Sequence, residues 1–180
     1  MARAALFLID GFEEIEAVST ADILRRGKVE TDLVSLEGGL AVKGKHGMEI
    51  KADRLFKGLR REDYDVLIIP GGTVAYLDRP EFLDFIALAG KAGQKIAAIC
   101  AAPVVLGTLG LLKGKKAVVY PGFEDQLEGA AILKDPVVTD GTLTTSRGPG
   151  TAIPFALEVL KILSGAETAR KVGSGLLFSA

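Results

Sequence analysis

Short apolar runs alternate along this chain with longer amphipathic stretches, and the two patterns predict different elements. A short continuous apolar run is typical of a strand buried on both faces of a sheet, whereas apolar positions three and four residues apart predict a helix. The predicted strands are residues 4–9, 29–36, 64–69, 96–99 and 117–120. The predicted helices are residues 13–26 and 80–91, one that begins at Pro103, and a long last helix capped by Thr151 and ended by Gly165.

This alternation of strands and helices predicts one α/β domain over residues 1–180. The expected architecture is a three-layer sandwich in which helices cover both faces of a mainly parallel sheet. Two hairpins are predicted in addition, over residues 40–50 and 136–146, because alternating segments flank a glycine-containing turn in each.

The first hairpin contains residues 39–46, which almost spell a phosphate-binding loop. That motif ends in a hydroxyl residue that binds magnesium and then opens a helix. Here the last position is His46, and the segment after it alternates like a strand. The sequence therefore excludes a phosphate loop, and from the pattern alone His46 is predicted to be a solvent-exposed turn residue.

Composition excludes several classes of function. The net charge is −1 and charges of both signs are mixed, so the basic footprint of a nucleic-acid-binding protein is absent. A single cysteine excludes an internal disulfide, and a single histidine excludes a zinc site of the usual Cys/His kind, so we predict no metal and no cofactor. The N-terminal apolar run is too short for a signal sequence, and the uncharged run 96–112 is interrupted by Pro103. We predict a cytoplasmic protein without membrane contact.

Cys100 occupies the position where this fold places reactive groups. It follows the predicted strand 96–99 and precedes the helix that begins at Pro103, with the small residues Ala98 and Ala102 on either side, as a sharp strand-to-helix turn requires. Open α/β sheets bind ligands at the carboxyl ends of their strands, and a helix N-terminus favours a thiolate. The alternative is an inert buried cysteine. The position of Cys100 between a strand end and a helix start favours the reactive thiol over the inert one.

Other candidates also follow strand ends. Gly71 and Gly72, after strand 64–69, either make a tight turn or leave backbone N–H groups free to hold an oxyanion. Glu16 shares a helical stripe with apolar positions, but the pattern alone favours a solvated glutamate. Arg147 is left open between an ion-pair partner and a site residue.

Four segments together carry a resemblance to a known family: residues 10–16 (DGFEEIE), 68–72 (IIPGG), 97–103 (AAICAAP) and 145–151 (TSRGPGT). In this order, and spread over almost the whole chain, they resemble the DJ-1/ThiJ/PfpI superfamily within the class I glutamine amidotransferase-like fold, and its DJ-1/YajL branch most. The resemblance implies a flavodoxin-like three-layer sandwich with a cysteine on a nucleophile elbow. It also implies a homodimer, in which His46 corresponds roughly to an arginine of the family's dimer interface.

The resemblance also implies roles for individual residues. Cys100 is expected to be the nucleophile, with a protonated Glu16 hydrogen-bonded to its sulfur, which overrides the pattern-based interpretation of Glu16. Backbone N–H groups at Gly71, Gly72 and Ala101 are expected to hold oxygen on an oxidised sulfur or a hemithioacetal. Tyr120, Arg147 and Pro149 are expected neighbours. An acidic Cys100 thiol that titrates together with Glu16 follows from these roles.

The implied function is the conversion of reactive carbonyls or glycated groups, of the glyoxalase or protein deglycase type, in stress protection. The alternative is a non-catalytic oxidative-stress sensor or holdase chaperone that acts through oxidation of Cys100. No histidine follows Cys100 in the chain, so peptidase and glutaminase activities, which need a histidine base, are disfavoured. Tyr120 stands where human-type members have a histidine, and tyrosine is a poor base at neutral pH.

Overall fold

The computed structural model describes residues 1–178 of the chain. The strands are β1 Arg3–Leu8, β2 Glu30–Ser35, β3 Ala41–Lys43, β4 Glu49–Lys51, β5 Arg54–Leu55, β6 Val66–Ile69, β7 Lys95–Ile99, β8 Lys116–Ala117, β9 Ala131–Ile132, β10 Val137–Asp140 and β11 Leu143–Ser146. The helices are α1 Glu14–Arg26, α2 Pro80–Lys91, α3 Pro103–Thr108, α4 Ala152–Ser164 and α5 Ala166–Gly175.

A seven-stranded sheet forms the middle layer, in the order β10-β11-β7-β6-β1-β2-β5. All neighbours in it are parallel except β10 and β11, which form the predicted antiparallel hairpin. The carboxyl ends of β1, β6 and β7 are therefore adjacent at one edge. This sheet confirms the predicted mainly parallel α/β architecture.

Side chains alternate between the two faces of the sheet and supply a core on each side. In β1, Leu6 and Leu8 point to the face covered by α1 and α4, whereas Phe7 points to the face covered by α2 and α3. All three are fully buried. Apolar residues on both faces explain why the strand is a continuous hydrophobic run. The predicted three-layer sandwich is confirmed.

The prediction of a strand over residues 117–120 is wrong. Only Lys116–Ala117 is a strand, and it pairs with β9 in a separate two-stranded sheet. The residues that follow are held by isolated bonds instead: the Val118 N–H donates to Thr145 Oγ1 (3.0 Å) and the Tyr120 N–H donates to the Cys100 carbonyl (2.9 Å). Val118 and Val119 are therefore buried in the core although they belong to no strand.

Three details of the helices differ from the predictions or were absent from them. Helix α3 ends at Thr108, because the chain soon turns through Gly110 at a φ of +69°. A further helix, α5, follows α4 after Gly165, whose φ is +87°. Thr151 precedes α4, but its hydroxyl bonds the Gly148 N–H (3.1 Å) and does not cap the helix.

In the described part of the chain, no helix combines the length and the apolar character needed to cross a bilayer.

Candidate active site

The elbow at Cys100 is held in a strained conformation by its neighbours. Its φ of +66° lies in the left-handed region, which costs a residue with a side chain about 1–3 kcal/mol. The Cys100 N–H donates to the Ser146 carbonyl at the end of β11, and the Cys100 carbonyl accepts from the Tyr120 N–H, both at 2.9 Å. These two bonds fix the backbone from opposite sides. The thiol consequently lies at the carboxyl edge of the sheet, with Cys100 only 8% exposed.

Gly71 allows the β6 loop to lie against the elbow. A Cβ atom at Gly71 would fall 2.5 Å from the Cys100 Cβ, so no other residue fits without displacing the cysteine. Its N–H donates to Glu16 Oε2 at 2.7 Å. Gly71 therefore orients Glu16, and its N–H is not free to hold an oxyanion, which differs from the predicted role.

Glu16 is a fully buried carboxyl group, so the solvated glutamate favoured by the helical pattern is wrong. Burial is the largest cause that raises its pKa, to about 7, partly opposed by the hydrogen bond from the Gly71 N–H and by the adjacent Cys100 thiol. Its second oxygen, Oε1, has no donor among the described residues. A carboxylate would leave that oxygen unpaired, whereas a protonated carboxyl can direct its O–H at the Cys100 sulfur.

The surroundings of Cys100 do not favour the acidic thiol that the sequence predicts. Burial, followed by the negative charge of Glu16, raises the pKa of Cys100 to about 12, although backbone N–H groups of Gly72 and Ala101 oppose this by bonding the sulfur. Carboxyl and thiol therefore share one negative charge over a wide pH range. A thiolate forms in this pair when the proton resides on Glu16.

A cavity of about 440 Å³ opens over the sulfur. Tyr120 and Pro149, two predicted neighbours, line it together with Gly72 and Ala101. Arg147, the third predicted neighbour, does not: it lines a separate depression beyond Tyr120. Its Nη1 donates to the Lys134 carbonyl at 3.4 Å, so its contact here is structural.

Five residues that line the cavity were not predicted from the sequence, namely Glu13, Lys45, Thr73, Val74 and Phe123. Glu13 and Thr73 follow strand ends and could have been found by the rule that located Cys100. Lys45 comes from the β3–β4 hairpin, which docks on the loop after β1 through bonds such as Lys45 N–H to the Phe12 carbonyl, 2.8 Å. The spacing of residues in the sequence does not predict that this hairpin packs on the loop after β1.

The DJ-1/PfpI family model matches residues 2–162 of this chain. The chain belongs to the DJ-1/PfpI family. Among curated family members, it is 38% identical to Protein dj-1beta of Drosophila melanogaster over 98% of both chains. It is 34% identical to the glutathione-independent glyoxalase DJR-1.2 of Caenorhabditis elegans, over 92% of this chain and 91% of that protein. The structure of oxidized Toxoplasma gondii DJ-1 superposes with a TM-score of 0.95 at 36% identity, covering both chains completely. The resemblance carried by the four sequence segments is thus confirmed for the family.

Proposed function

We propose that this protein converts reactive carbonyl compounds through Cys100, as an enzyme of the glyoxalase or protein deglycase type that protects against carbonyl stress. The observation that carries this proposal is the buried Cys100–Glu16 pair at the floor of an accessible cavity. A cysteine and a proton-transfer group in contact are the minimum for covalent carbonyl chemistry. The glyoxalase name of a relative that matches nearly the whole chain supports the same reaction class.

The first step is addition of sulfur to an aldehyde carbon. Transfer of the thiol proton to Glu16 produces the thiolate, which forms the C–S bond while the carbonyl π electrons move to oxygen. The developing oxyanion would accept the N–H groups of Gly72 and Ala101, which already point at the sulfur. A proton from the neutral Glu16 then completes the hemithioacetal, and the single negative charge of the pair returns to the Glu16 carboxylate.

The second step uses Glu16 as a base. With a pKa of about 7, Glu16 can both accept and return a proton near neutral pH. In methylglyoxal it would remove the proton from the sulfur-bearing carbon and return one to the neighbouring carbonyl carbon, which leaves a thioester. Hydrolysis of that thioester by water releases lactate and restores the thiol. Tyr120, at the cavity wall, is placed to donate a hydrogen bond to the substrate but not to act as the base.

Lactate formation from methylglyoxal, without glutathione, tests this function. We expect many lactate molecules per chain, because the cycle regenerates the thiol. Product that stops at or below one equivalent per chain would contradict catalysis.

A second function, oxidation sensing, is favoured by the same two N–H groups at the sulfur. They would stabilise the oxygens of a sulfinate, and a solved family member is described as oxidized. We expect mild peroxide to add two oxygens to Cys100, read directly by mass spectrometry because the chain has one cysteine. The Glu16→Leu variant should lose this selectivity, since no carboxyl then holds the oxidised sulfur. An unmodified Cys100 at near-equimolar peroxide would argue against sensing.

We further propose a cytoplasmic homodimer. A single free cysteine suits a reducing compartment. Ile15, Val18 and Met48 are each about half exposed on α1 and the adjoining hairpin, which gives a second copy an apolar surface.

The Val18→Glu variant should be a monomer in sedimentation, because a charge is introduced on this surface. Leu88→Glu, at an equally exposed position of α2 on the other side of the sheet, is the matched control and should leave the assembly unchanged. A wild-type monomer would remove the dimer proposal.

A further inference from the structure

Two fully buried polar atoms without a partner lie on the same face of α1. Among the described residues, four buried side-chain nitrogen or oxygen atoms form no hydrogen bond, and two of them are Glu16 Oε1 and Thr20 Oγ1. The other two, Arg3 Nε and Gln94 Oε1, lie at the opposite edge of the sheet, where β1 and β7 begin. Native proteins leave very few such atoms unpaired, so two of them one helical turn apart require an explanation.

Helical geometry brings the two side chains together. Residues four apart in a helix have Cβ atoms about 5–6 Å apart on one face, and their side chains lean toward the helix N-terminus. The Thr20 hydroxyl therefore lies over the turn that carries Glu16. Both residues are at most 1% exposed, so neither oxygen is paired with bulk water.

The Thr20 hydroxyl is not used by the helix itself. A threonine inside a helix commonly bonds the carbonyl oxygen four residues earlier, which here belongs to Glu16. Within residues 1–178 that bond is not made. Rotation of the hydroxyl about χ1 therefore breaks no hydrogen bond, whereas burial of an unpaired hydroxyl is unfavourable.

The Glu16 carboxyl needs a donor at Oε1 in one protonation state only. Its Oε2 accepts the Gly71 N–H at 2.7 Å. The neutral carboxyl can direct its own proton at the Cys100 sulfur, but the ionised carboxyl has no proton, and both its oxygens are acceptors. The ionised state is also the one that acts as a base in the proposed second step.

We infer that Thr20 is a positioning residue for Glu16, whose hydroxyl donates a hydrogen bond to Oε1 of the ionised carboxyl across one turn of α1. The bond holds the carboxylate beneath the Cys100 elbow and stabilises its charged form. Thr20 thereby adjusts how readily Glu16 gives up its proton. The pairing does not depend on the proposed function, whereas its effect on turnover rests on that function.

Titration of the Glu16 carboxyl in the Thr20→Val protein tests the pairing without turnover. Valine keeps the shape of threonine but has no hydroxyl. A hydrogen bond to the charged form lowers the pKa of an acid, so its loss should raise the pKa of Glu16 by about one unit above the wild-type value of about 7. The measurement is the chemical shift of ¹³C-labelled glutamate carboxyl carbons against pH, in which the Glu16 signal is the one that Glu16→Gln lacks.

Two further variants are the controls. Thr20→Ser keeps the hydroxyl and should leave the pKa of Glu16 close to its wild-type value. Thr31→Val removes a hydroxyl from another buried threonine, on β2, which bonds the Val29 carbonyl at 3.1 Å, and should not change the Glu16 titration. These substitutions retain the other ionisable groups that interact with Glu16, namely Cys100, Glu13, Lys45 and Tyr76.

The pH dependence of lactate formation measures the consequence for the proposed reaction. An increase of about one unit in the pKa of Glu16 lowers its ionised fraction at pH 7 about fivefold, so Thr20→Val should form lactate about fivefold more slowly at that pH. Its rate should approach that of the wild type in alkaline solution. Absence of lactate from every protein, with the carboxyl shift intact, would reject the proposed reaction and leave the pairing in place.

An unchanged Glu16 pKa in Thr20→Val would overturn the inference, and so would an equal increase in Thr20→Ser. In the first case the Thr20 hydroxyl is simply unpaired, and Thr20→Val should then stabilise the protein equally at low and at high pH. In the second case the side-chain methyl group, and not the hydroxyl, sets the proton affinity of Glu16.

Discussion

Replacing Cys100 by serine is expected to lower lactate formation from methylglyoxal at least about a thousandfold. Serine keeps the shape of the elbow, including the backbone bond to the Ser146 carbonyl and the bond from the Tyr120 N–H, so the fold should be retained. Its hydroxyl is a far weaker acid than a thiol, and Glu16, with a pKa of about 7, cannot deprotonate it effectively. No C–O adduct should therefore accumulate. The measurement is the initial rate of lactate release with an unchanged circular dichroism spectrum.

Two comparisons make this experiment decisive. Iodoacetamide can modify only one thiol in this chain, so alkylated wild-type protein should match the serine variant. Glu16→Gln keeps the thiol but removes the base that deprotonates it and later moves the carbon-bound proton, so it should form an adduct with methylglyoxal only slowly and release almost no lactate. A Cys100→Ser protein with wild-type rates would disprove covalent catalysis at this residue.

Glu16→Gln is also expected to stabilise the protein at pH 8 by about 3 kcal/mol. The pKa of Glu16 is 4.5 in the unfolded reference state and about 7 in the folded protein. Between these values the folded state binds the proton more tightly than the unfolded state, so the contribution of this group to stability is full below pH 4.5 and is lost as pH rises through 7. The difference between the two pKa values corresponds to about 3 kcal/mol. Glutamine mimics the protonated acid, accepts from Gly71 and carries no such penalty.

Urea unfolding at pH 5 and pH 8 measures this effect. The wild-type free energy of unfolding should fall over this range by more than that of Glu16→Gln. Asp22→Asn is the matched control, because Asp22 lies on the same helix in an exposed pair with Arg26 (2.6 Å) and should change the pH dependence little. If Glu16→Gln destabilises the protein equally at both pH values, the pKa of Glu16 is not raised in the folded protein and this prediction is wrong.

Both experiments concern the buried carboxyl group of Glu16. When ionised it lowers the stability of the fold, and the proposed reaction needs it as a base. Substituting it gains stability and loses turnover, as is common when active sites retain strained or desolvated groups. The strained backbone of Cys100 belongs to the same class.

The sequence by itself determined the architecture and the region of the site. Apolar runs covered on both faces predict central parallel strands, and reactive groups in such sheets follow strand ends, which located Cys100 and the Gly71–Gly72 turn. The strand at residues 117–120 was predicted wrongly for the same reason, because an apolar run reports burial and not pairing.

Only the tertiary structure decided how the groups at that edge are used. The helical pattern could not show that Glu16 lies beneath the elbow, that the Gly71 N–H is committed to it, or that Arg147 points away from the cavity. Nor could it show that a distant hairpin brings His46 to two buried glutamates. Periodicity specifies which face of an element is buried, whereas hydrogen-bond partners, proton affinities and ligand sets depend on contacts between segments far apart in the chain.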